Sequence, residues 1–521
     1  MMGRASKSSM LVGGGVQAVL VLAMASVHCT SSSGGGGAGE GPDGEVAIDS
    51  GVVGDAFVPS DGASDATTVD SGHLSMDAAT DTGTSGSTDA TTDTGTSGST
   101  DASPDVLPVP DGSILNPCQL PGSVQFTAAG TVTVAGGGAS WPSLAFLKLP
   151  VGFCAHYYGT VGNARQMRFA PGGELFVASP TTGTTGGGAN GQSAIMVLPD
   201  DNLDGVADGN LTYLAGLPST QGMLFAPGFF YYQNGVQIMR TAYASGQRTY
   251  AGPSTTVANI TYYSDALHWP KTLDMADDGT IFVANGGSQS DPCVQSGSPP
   301  THPFLGGIRK IDPTGTNMDG IPIAQGFRNP INIRCAAGHD QCFAIELALD
   351  YSYTSGGREK LVPIRPNQSP IDDWGFPCCA TRGVPNLSSP AGTDCSGVSQ
   401  ETNSFEIGDT PFGMDFERGY WPGTWNRRLY VVTHGAAGSW YGARMVSIPL
   451  DPSTGLPLAS TDLGDGGGEV DGPDVGMVDF ATGWDDGKQD HGRPAAVTFG
   501  PDGRLYVAND NNGVIFWIAP M

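Results

Sequence analysis

Phe169-Ala-Pro-Gly-Gly-Glu-Leu-Phe-Val-Ala178, Met275-Ala-Asp-Asp-Gly-Thr-Ile-Phe-Val-Ala284 and Phe499-Gly-Pro-Asp-Gly-Arg-Leu-Tyr-Val-Ala508 align without a gap. Each places a Pro/Asp/Gly turn between an apolar residue and an alternating apolar run, the signature of a β-hairpin. Fainter copies stand at Phe225-Ala-Pro-Gly-Phe-Phe-Tyr-Tyr232, Cys342-Phe-Ala-Ile-Glu346 and Trp425-Asn-Arg-Arg-Leu-Tyr-Val-Val432. Their separations each leave room for one four-stranded sheet and its loops. A single Asp-Gly hairpin carries little information, but six in register mean radial repetition of β-sheets. The expectation is an all-β fold, a six-bladed β-propeller, over residues 116–521. Propellers bind ligands where loops converge on the central channel, yet many only bind partners, so catalysis must be argued from residues.

Working outward, the chain changes character near residue 115. All Trp and Tyr of the 521 residues lie beyond it, with nearly every Phe. Residues 30–115 are mostly Gly, Ser, Thr, Asp and Ala; the block Thr80–Ala90 returns at Thr92–Ala102. Such a stretch has no apolar face to offset its ordering entropy and reads as a disordered linker, a passive tether rather than a weak cation binder. Residues 1–29 read as an export signal: Arg4 and Lys7, then the apolar run Met10–Ala25, then Cys29 followed by Thr-Ser-Ser-Ser. That arrangement is similar to a bacterial lipoprotein signal with Cys29 as the acylated residue, although His28 stands where the motif has a small residue. Ordinary cleavage near Ala25 is the alternative. The protein is thus expected in the cell envelope or outside the cell, touching membrane only through a lipid anchor. The net charge of −28, with 23 Lys and Arg, argues against a nucleic-acid partner, which needs clustered basic charge.

Eight further cysteines, Cys118, Cys154, Cys293, Cys335, Cys342, Cys378, Cys379 and Cys395, form an even set. In an exported chain they point to disulfides, with Cys335–Cys342 the pair expected first. Metal binding by Cys378-Cys379 is disfavoured, because adjacent cysteines chelate poorly and no His sits at ligand spacing.

A series of segments in fixed order resembles the glucose/sorbosone dehydrogenase family, whose soluble members use pyrroloquinoline quinone (PQQ). They are Leu149-Pro-Val-Gly-Phe153, Asn163-Ala-Arg165, Leu267-His268-Trp269, Gly306-Gly-Ile-Arg-Lys-Ile-Asp-Pro313, Gly326-Phe-Arg-Asn-Pro330, Asp373-Trp-Gly-Phe-Pro377 and His491-Gly-Arg-Pro494. Gly-Phe-Arg-Asn-Pro is the distinctive one. The resemblance implies PQQ and Ca²⁺ as cofactors, a small-molecule sugar as substrate and a separate electron acceptor. It places His268 as the base that takes the proton of a C1 hydroxyl; the bland reading is a Trp-packed structural His. It places Gln221, Arg328, Asn329, His491 and Arg493 around the cofactor, each with a dull alternative in a turn, a strand cap or a solvated surface. Arginine suits a tricarboxylate because its planar fork binds carboxylates in pairs of hydrogen bonds. Family Ca²⁺ ligands come from the loop before Gly-Phe-Pro, here Asp350–Leu361, which lacks the Asn-Gly or Gln-Gly-Pro lead. His434-Gly435 stands near the position of a family Lys, as in sorbosone-type members.

One cation loop is read from the residues themselves. In Asp200-Asp-Asn-Leu-Asp-Gly-Val-Ala-Asp208, the side chains of Asp200, Asn202, Asp204 and Asp208 alternate around a Gly turn like a calcium loop without its twelfth-position Glu. A solvated inter-blade turn is the equal alternative. For the whole chain the leading expectation is a PQQ-dependent sugar dehydrogenase. Its rivals are a non-catalytic surface propeller that binds carbohydrate or protein, and a lactonase-like hydrolase, which no acidic ligand cluster favours.

Overall fold

The computed structural model describes residues 116–180, 193–260, 268–287, 293, 306–336, 338–339, 341–348, 358–386, 389–436, 439–459, 477–488 and 490–521. The chain divides after Ser97, and every described residue lies in the second part. The export signal, Cys29, the linker and most of the loop Asp350–Leu361 lie outside the described residues.

Six blade sheets follow one another in chain order, antiparallel except where Ile321–Gln325 pairs in parallel with Asp372–Asp373, and Cys379–Thr381 with Val384–Pro385 forms a separate two-stranded sheet. Their innermost strands are Gln166–Phe169, Met223–Ala226, Leu273–Met275, Asn329–Cys335, Pro411–Phe416 and Pro494–Phe499, and each packs against the next until the sixth meets the first. The second strands are Leu175–Ser179, Phe229–Asn234, Ile281–Asn285, Cys342–Leu347, Arg428–Thr433 and Leu505–Asn509. The six hairpins read from the sequence are therefore the inner hairpins of six blades.

The three clearest turns are built alike. Gly173, Gly279 and Gly503 have φ of 93°, 82° and 77°, a left-handed conformation that favours glycine over any residue with a Cβ. Their N–H groups donate to Ala170, Ala276 and Gly500 three residues back. Asp278 and Asp502 accept the N–H two residues on, at 2.8 and 3.0 Å, which is why Asp precedes Gly in the motif.

The ring closes with strands from its two ends. Blade six takes Pro494–Phe499, Leu505–Asn509 and Val514–Pro520 from the C-terminus, and Phe153–Thr160 supplies the fourth strand. Val124–Thr127 and Gly130–Thr133 extend that sheet outward. Phe153, 2% exposed, seats its ring 5.1 Å from Trp421 and 5.2 Å from Phe480, so the closing strand is held by apolar burial as well as by its ladder. Burying one such ring stabilises by about 1.5–3 kcal/mol. A disulfide between Cys118 and Cys154 adds a covalent tie to the same strand. The expected Cys335–Cys342 disulfide is present, and Cys293–Cys378 and Cys379–Cys395 complete the set.

The aligned repeat also orders the channel. One position of every inner strand, Arg168, Leu224, Asp274, Arg334, Asp415 and Thr498, falls at the turn end. Arg168 lies 3.6 Å from Asp274, Arg334 lies 4.0 Å from Asp274, and Arg334 lies 3.7 Å from Asp415. These charges tie blades one, three, four and five across the channel at that end. A cavity of about 320 Å³ opens there, lined by residues of all six blades. The opposite mouth, where the inner strands begin, carries the candidate site residues Gln221, His268, Arg328, Asn329 and Arg493.

Candidate active site at the channel mouth

Each inner strand is preceded by a lead-in segment; Gln221, His268, Arg328 and Arg493 stand in these lead-ins, and Asn329 is the first residue of its strand. His268 precedes the inner strand of blade three and is 3% exposed. Its Nδ1 sits 2.5 Å from the carbonyl oxygen of Gly287, an atom that only accepts. Nδ1 is therefore the donor of this bond, so a neutral ring carries its proton on Nδ1. Arg328 and Asn329 lead into blade four. The Arg328 carbonyl accepts the Gly287 N–H at 2.6 Å, its N–H donates to Glu346 Oε1 at 2.7 Å, and its Nη1 donates to Ala348 O at 2.6 Å. A Cβ added at Gly286 would stand 2.6 Å from His268 Cβ and 3.0 Å from Asn329 Oδ1, so the base candidate and the Arg-Asn pair share one glycine as their floor.

The Gly-Phe-Arg-Asn and Asp-Trp-Gly-Phe motifs belong together physically. The Gly326 carbonyl accepts the Phe376 N–H at 2.8 Å, and the Trp374 N–H donates to Gln325 O at 3.0 Å. Gly326 has φ +74°, and a Cβ there would lie 2.2 Å from Asp373 Oδ1. One motif is the bed on which the other holds Arg328. Lys360 Nζ donates to the carbonyl of the fully buried Trp374 at 2.8 Å and pairs with Glu346 at 3.4 Å. Burial raises the Glu346 carboxyl, and Lys360 and the Arg328 N–H oppose that rise.

Across the channel a second cluster joins blades five, six and one. His434 Nε2 meets Asp510 Oδ2 at 3.0 Å, and Arg165 Nη2 meets the same oxygen at 2.9 Å. Arg493 donates from Nε to His434 O at 3.0 Å and from Nη2 to Gly435 O at 2.6 Å. The Arg165 guanidinium lies 5.3 Å from the centre of the Phe412 ring. Burial lowers His434 to about 4, so it is neutral at ordinary pH, and burial lowers Arg493 to about 10, which leaves it charged. Burial alone would raise the Asp510 carboxyl, but His434, which hydrogen-bonds it, and the Arg165 and Arg493 guanidinium groups outweigh burial and hold it well below the carboxylate range.

Gln221 leads into blade two and is fully buried, with neither amide atom hydrogen-bonded. Thr220 Oγ1, Asn285 Nδ2 and Asn329 Oδ1 are likewise buried without partners. Each such atom costs about 1–3 kcal/mol unless something completes it, so their concentration at one mouth marks a place for a polar ligand. Among the described residues, the network holds the cations Arg165, Lys271, Arg328, Lys360 and Arg493 and the carboxylates Glu346 and Asp510. In a chain of net charge −28 that is a local cationic excess.

His491 is the predicted residue that the network leaves out. Gly492, at φ +78°, turns the chain there, and the His491 ring stacks on Phe146 at 4.0 Å with its nitrogens toward Asp486 and Asp490. The loop Asp200–Asp208 lies elsewhere, against Arg504 and Trp517 beside the blade-six turn. Its side chains converge on one another: Asn202 Nδ2 donates to Asp204 at 3.1 Å and to Asp208 at 3.0 Å, and Asp200 accepts the N–H groups of Asp204 and Gly205. Burial, then the neighbouring carboxylates, push Asp200 up to about 6. Among the described residues no group of three or more His, Cys, Asp or Glu is arranged to hold a metal ion.

The sequence did not put forward Thr220, Lys271, Asn285, Glu346, Lys360 or Asp510 for this site, nor Gln233, whose side chain accepts the Gln221 and Lys271 N–H groups. Lys271, fully buried, donates from Nζ to Asn285 Oδ1 at 2.7 Å. For Asn285 the available signal was the repeat itself, because it directly follows the Val-Ala end; in the last repeat that position is Asn509, and Asp510 stands one residue further on.

No protein-family model and no curated protein matches the sequence. Solved structures do match. The iodide structure of a Trichoderma reesei Carbohydrate-Active Enzymes Family AA12 protein shares 18% identity at a TM-score of 0.57, over 74% of this chain and 100% of the other. The holo form of the pyranose dehydrogenase PQQ domain from Coprinopsis cinerea shares 17% identity at 0.54, over 71% and 96%. At these identities the likeness is one of fold.

Proposed function

We propose that the chain is a PQQ-dependent sugar dehydrogenase acting outside the cytoplasm. The observation that carries the reading is the mouth itself, where the lead-in segments and neighbouring strand ends carry five cations, four residues with unpartnered buried polar atoms and a buried histidine whose Nδ1 bonds the Gly287 carbonyl. A compact tricarboxylate such as PQQ suits that donor set, with the Arg328 and Arg493 guanidinium groups facing carboxylates and Gln221 and Asn329 completing the polar ring. The same fold in a holo PQQ domain supports the choice of cofactor. PQQ, when bound, supplies the hydride acceptor.

The residues of the chain then have separate roles. His268 takes the C1 hydroxyl proton of the sugar on Nε2, while the Gly287 carbonyl keeps Nδ1 protonated and the ring oriented. Arg165 and Asp510 brace His434 and, through its carbonyl, Arg493, so the anion-facing arginine is held by backbone rather than by a competing carboxylate. The loop to which the resemblance assigns Ca²⁺ lies largely outside the described residues, and these roles are those of the side chains alone. Four disulfides support an oxidising compartment, and no helix among the described residues is long and apolar enough to cross a membrane. Acylated Cys29 would tether the propeller through the linker.

The test is a titration of the purified chain with PQQ in the presence of Ca²⁺, followed by dye reduction with a panel of aldoses. Saturable PQQ uptake with sugar-dependent reduction is the expected result. No uptake would leave a binding propeller in its place.

A further inference from the structure

Gln233 ends the inner hairpin of blade two and is fully buried. Its Oε1 accepts the N–H groups of Gln221 at 3.1 Å, Gly222 at 3.4 Å and Lys271 at 3.0 Å. Its Nε2 donates to Trp269 O and to Gly235 O, both at 2.9 Å. The donors all face one end of the amide and the carbonyls the other, so its orientation is settled by its partners. Every hydrogen-bonding capacity of the side chain is spent.

Those partners lie on two different blades. Gln221 and Gly222 lead into blade two; Trp269 and Lys271 lead into blade three and follow directly on His268. The strands touch closely here: a Cβ at Gly222 would stand 1.8 Å from the Lys271 carbonyl oxygen. Strand register equates Gln233 with Ala178, Ala284 and Ala508 of blades one, three and six. A buried amide thus replaces a methyl group at the one place where it spans the Gln221 and His268 segments.

We infer that Gln233 is a positioning residue for the proposed reaction: it locks the His268 lead-in to the Gln221 lead-in and so fixes the base relative to the cofactor face. The inference rests on the reading of the mouth given above. Misplacing a reacting group by about 1 Å is enough to cost on the order of 100-fold in rate.

The test uses the full chain carrying Gln233→Leu, with Gln233→Glu beside it. Leu keeps the bulk and makes none of the five bonds; Glu keeps the acceptor and loses the two donated bonds. Backbone amide exchange, measured without PQQ, is expected to rise about tenfold or more at Gln221 and Lys271 in the Leu variant, while Gly173, Gly279 and Gly503 exchange as before. In Gln233→Glu those two amides should stay protected. With PQQ and sugar, kcat should fall roughly 10- to 100-fold in both variants while the sugar KM moves less than about threefold. Unchanged exchange in Gln233→Leu, or full turnover in either variant, overturns the inference. If the wild type takes up no PQQ, the dehydrogenase reading fails, and exchange alone decides whether Gln233 is the lock.

Discussion

The Nδ1 of His268 lies 2.5 Å from the carbonyl oxygen of Gly287, on the strand end of its own blade. That bond is donated by Nδ1, so in the proposed role Nε2 is the nitrogen that takes the proton. His268→Ala is expected to bind PQQ within about threefold of wild type and to lose roughly two to four orders of magnitude in turnover, the usual weight of a general base. Dye-reduction kinetics and a PQQ titration on the same preparation separate the two effects. Normal turnover would remove His268 from the reaction and leave the fold assignment intact.

Arg328 and Arg493 are fixed to backbone carbonyls on opposite sides of the channel, Ala348 O for one and His434 O and Gly435 O for the other. Each should hold a carboxylate of the cofactor. Replacing either by Ala is expected to weaken PQQ binding about 10- to 100-fold, the weight of a charge-assisted hydrogen bond, with kcat at saturating PQQ affected less. Equal affinity in both variants would move the cofactor away from this mouth.

The ease of reading the propeller and the difficulty of reading its site have one physical cause. Asp278-Gly279 and Asp502-Gly503 announce their turns because the Asp side chain and the left-handed Gly both act within a few residues. His268, Arg328 and Arg493 could be put forward from the sequence because each sits in a short motif leading into an inner strand. Asp510 was not, because its partners His434 and Arg165 come from blades five and one, and nothing local in Asn509-Asp510-Asn511 signals either. Lys271 was hidden because a lysine before a strand ordinarily reads as solvated, whereas here it is fully buried. His491 was over-read: its neighbour Arg493 enters the network, but the turn at Gly492 sends the ring to Phe146 instead. The closing strand Phe153–Thr160 lacks the hairpin signature, since its partner Val514–Pro520 is at the far end of the chain.

Burial holds His434 neutral, with its ionisation lowered to about 4 from the ordinary 6.5. Between those values the unfolded chain takes up a proton at this residue and the folded chain does not. Stability therefore falls as pH drops from about 6.5 toward 4, with a slope of at most about 1.4 kcal/mol per pH unit from this one group. Asp510, held low, adds a loss of the same sign below about pH 4, where unfolded carboxylates protonate. His434→Gln should flatten the upper limb relative to wild type, and the difference is the measure because buried His156 is lowered too. Denaturant midpoints at pH 7 and pH 5 check it; parallel slopes in the two proteins would contradict the buried neutral state.

The disulfide Cys118–Cys154 spans 36 residues and ties the turn Pro117–Gln119 to the closing strand, whereas Cys335–Cys342 spans seven within one hairpin. Constraint of the unfolded chain grows with loop length, giving about 3–4 kcal/mol for the first and about 2–3 kcal/mol for the second in the chain-entropy account. The folded-state consequences reinforce the order. The hairpin keeps its register through the ladder from Asn329↔Leu347 to Cys335↔Cys342. The segment before Val124, by contrast, rests on blade six through few bonds besides the disulfide, such as Gln125 Nε2 to Cys118 O at 2.7 Å. Unfolding of Cys118→Ala/Cys154→Ala under non-reducing conditions should therefore show the larger loss. Limited proteolysis of wild type should stop near Cys118 and, in that variant, run on toward the closing strand. An equal or smaller loss than in Cys335→Ala/Cys342→Ala would mean that the ladder and the Phe153 packing, rather than the crosslink, hold the ring closed.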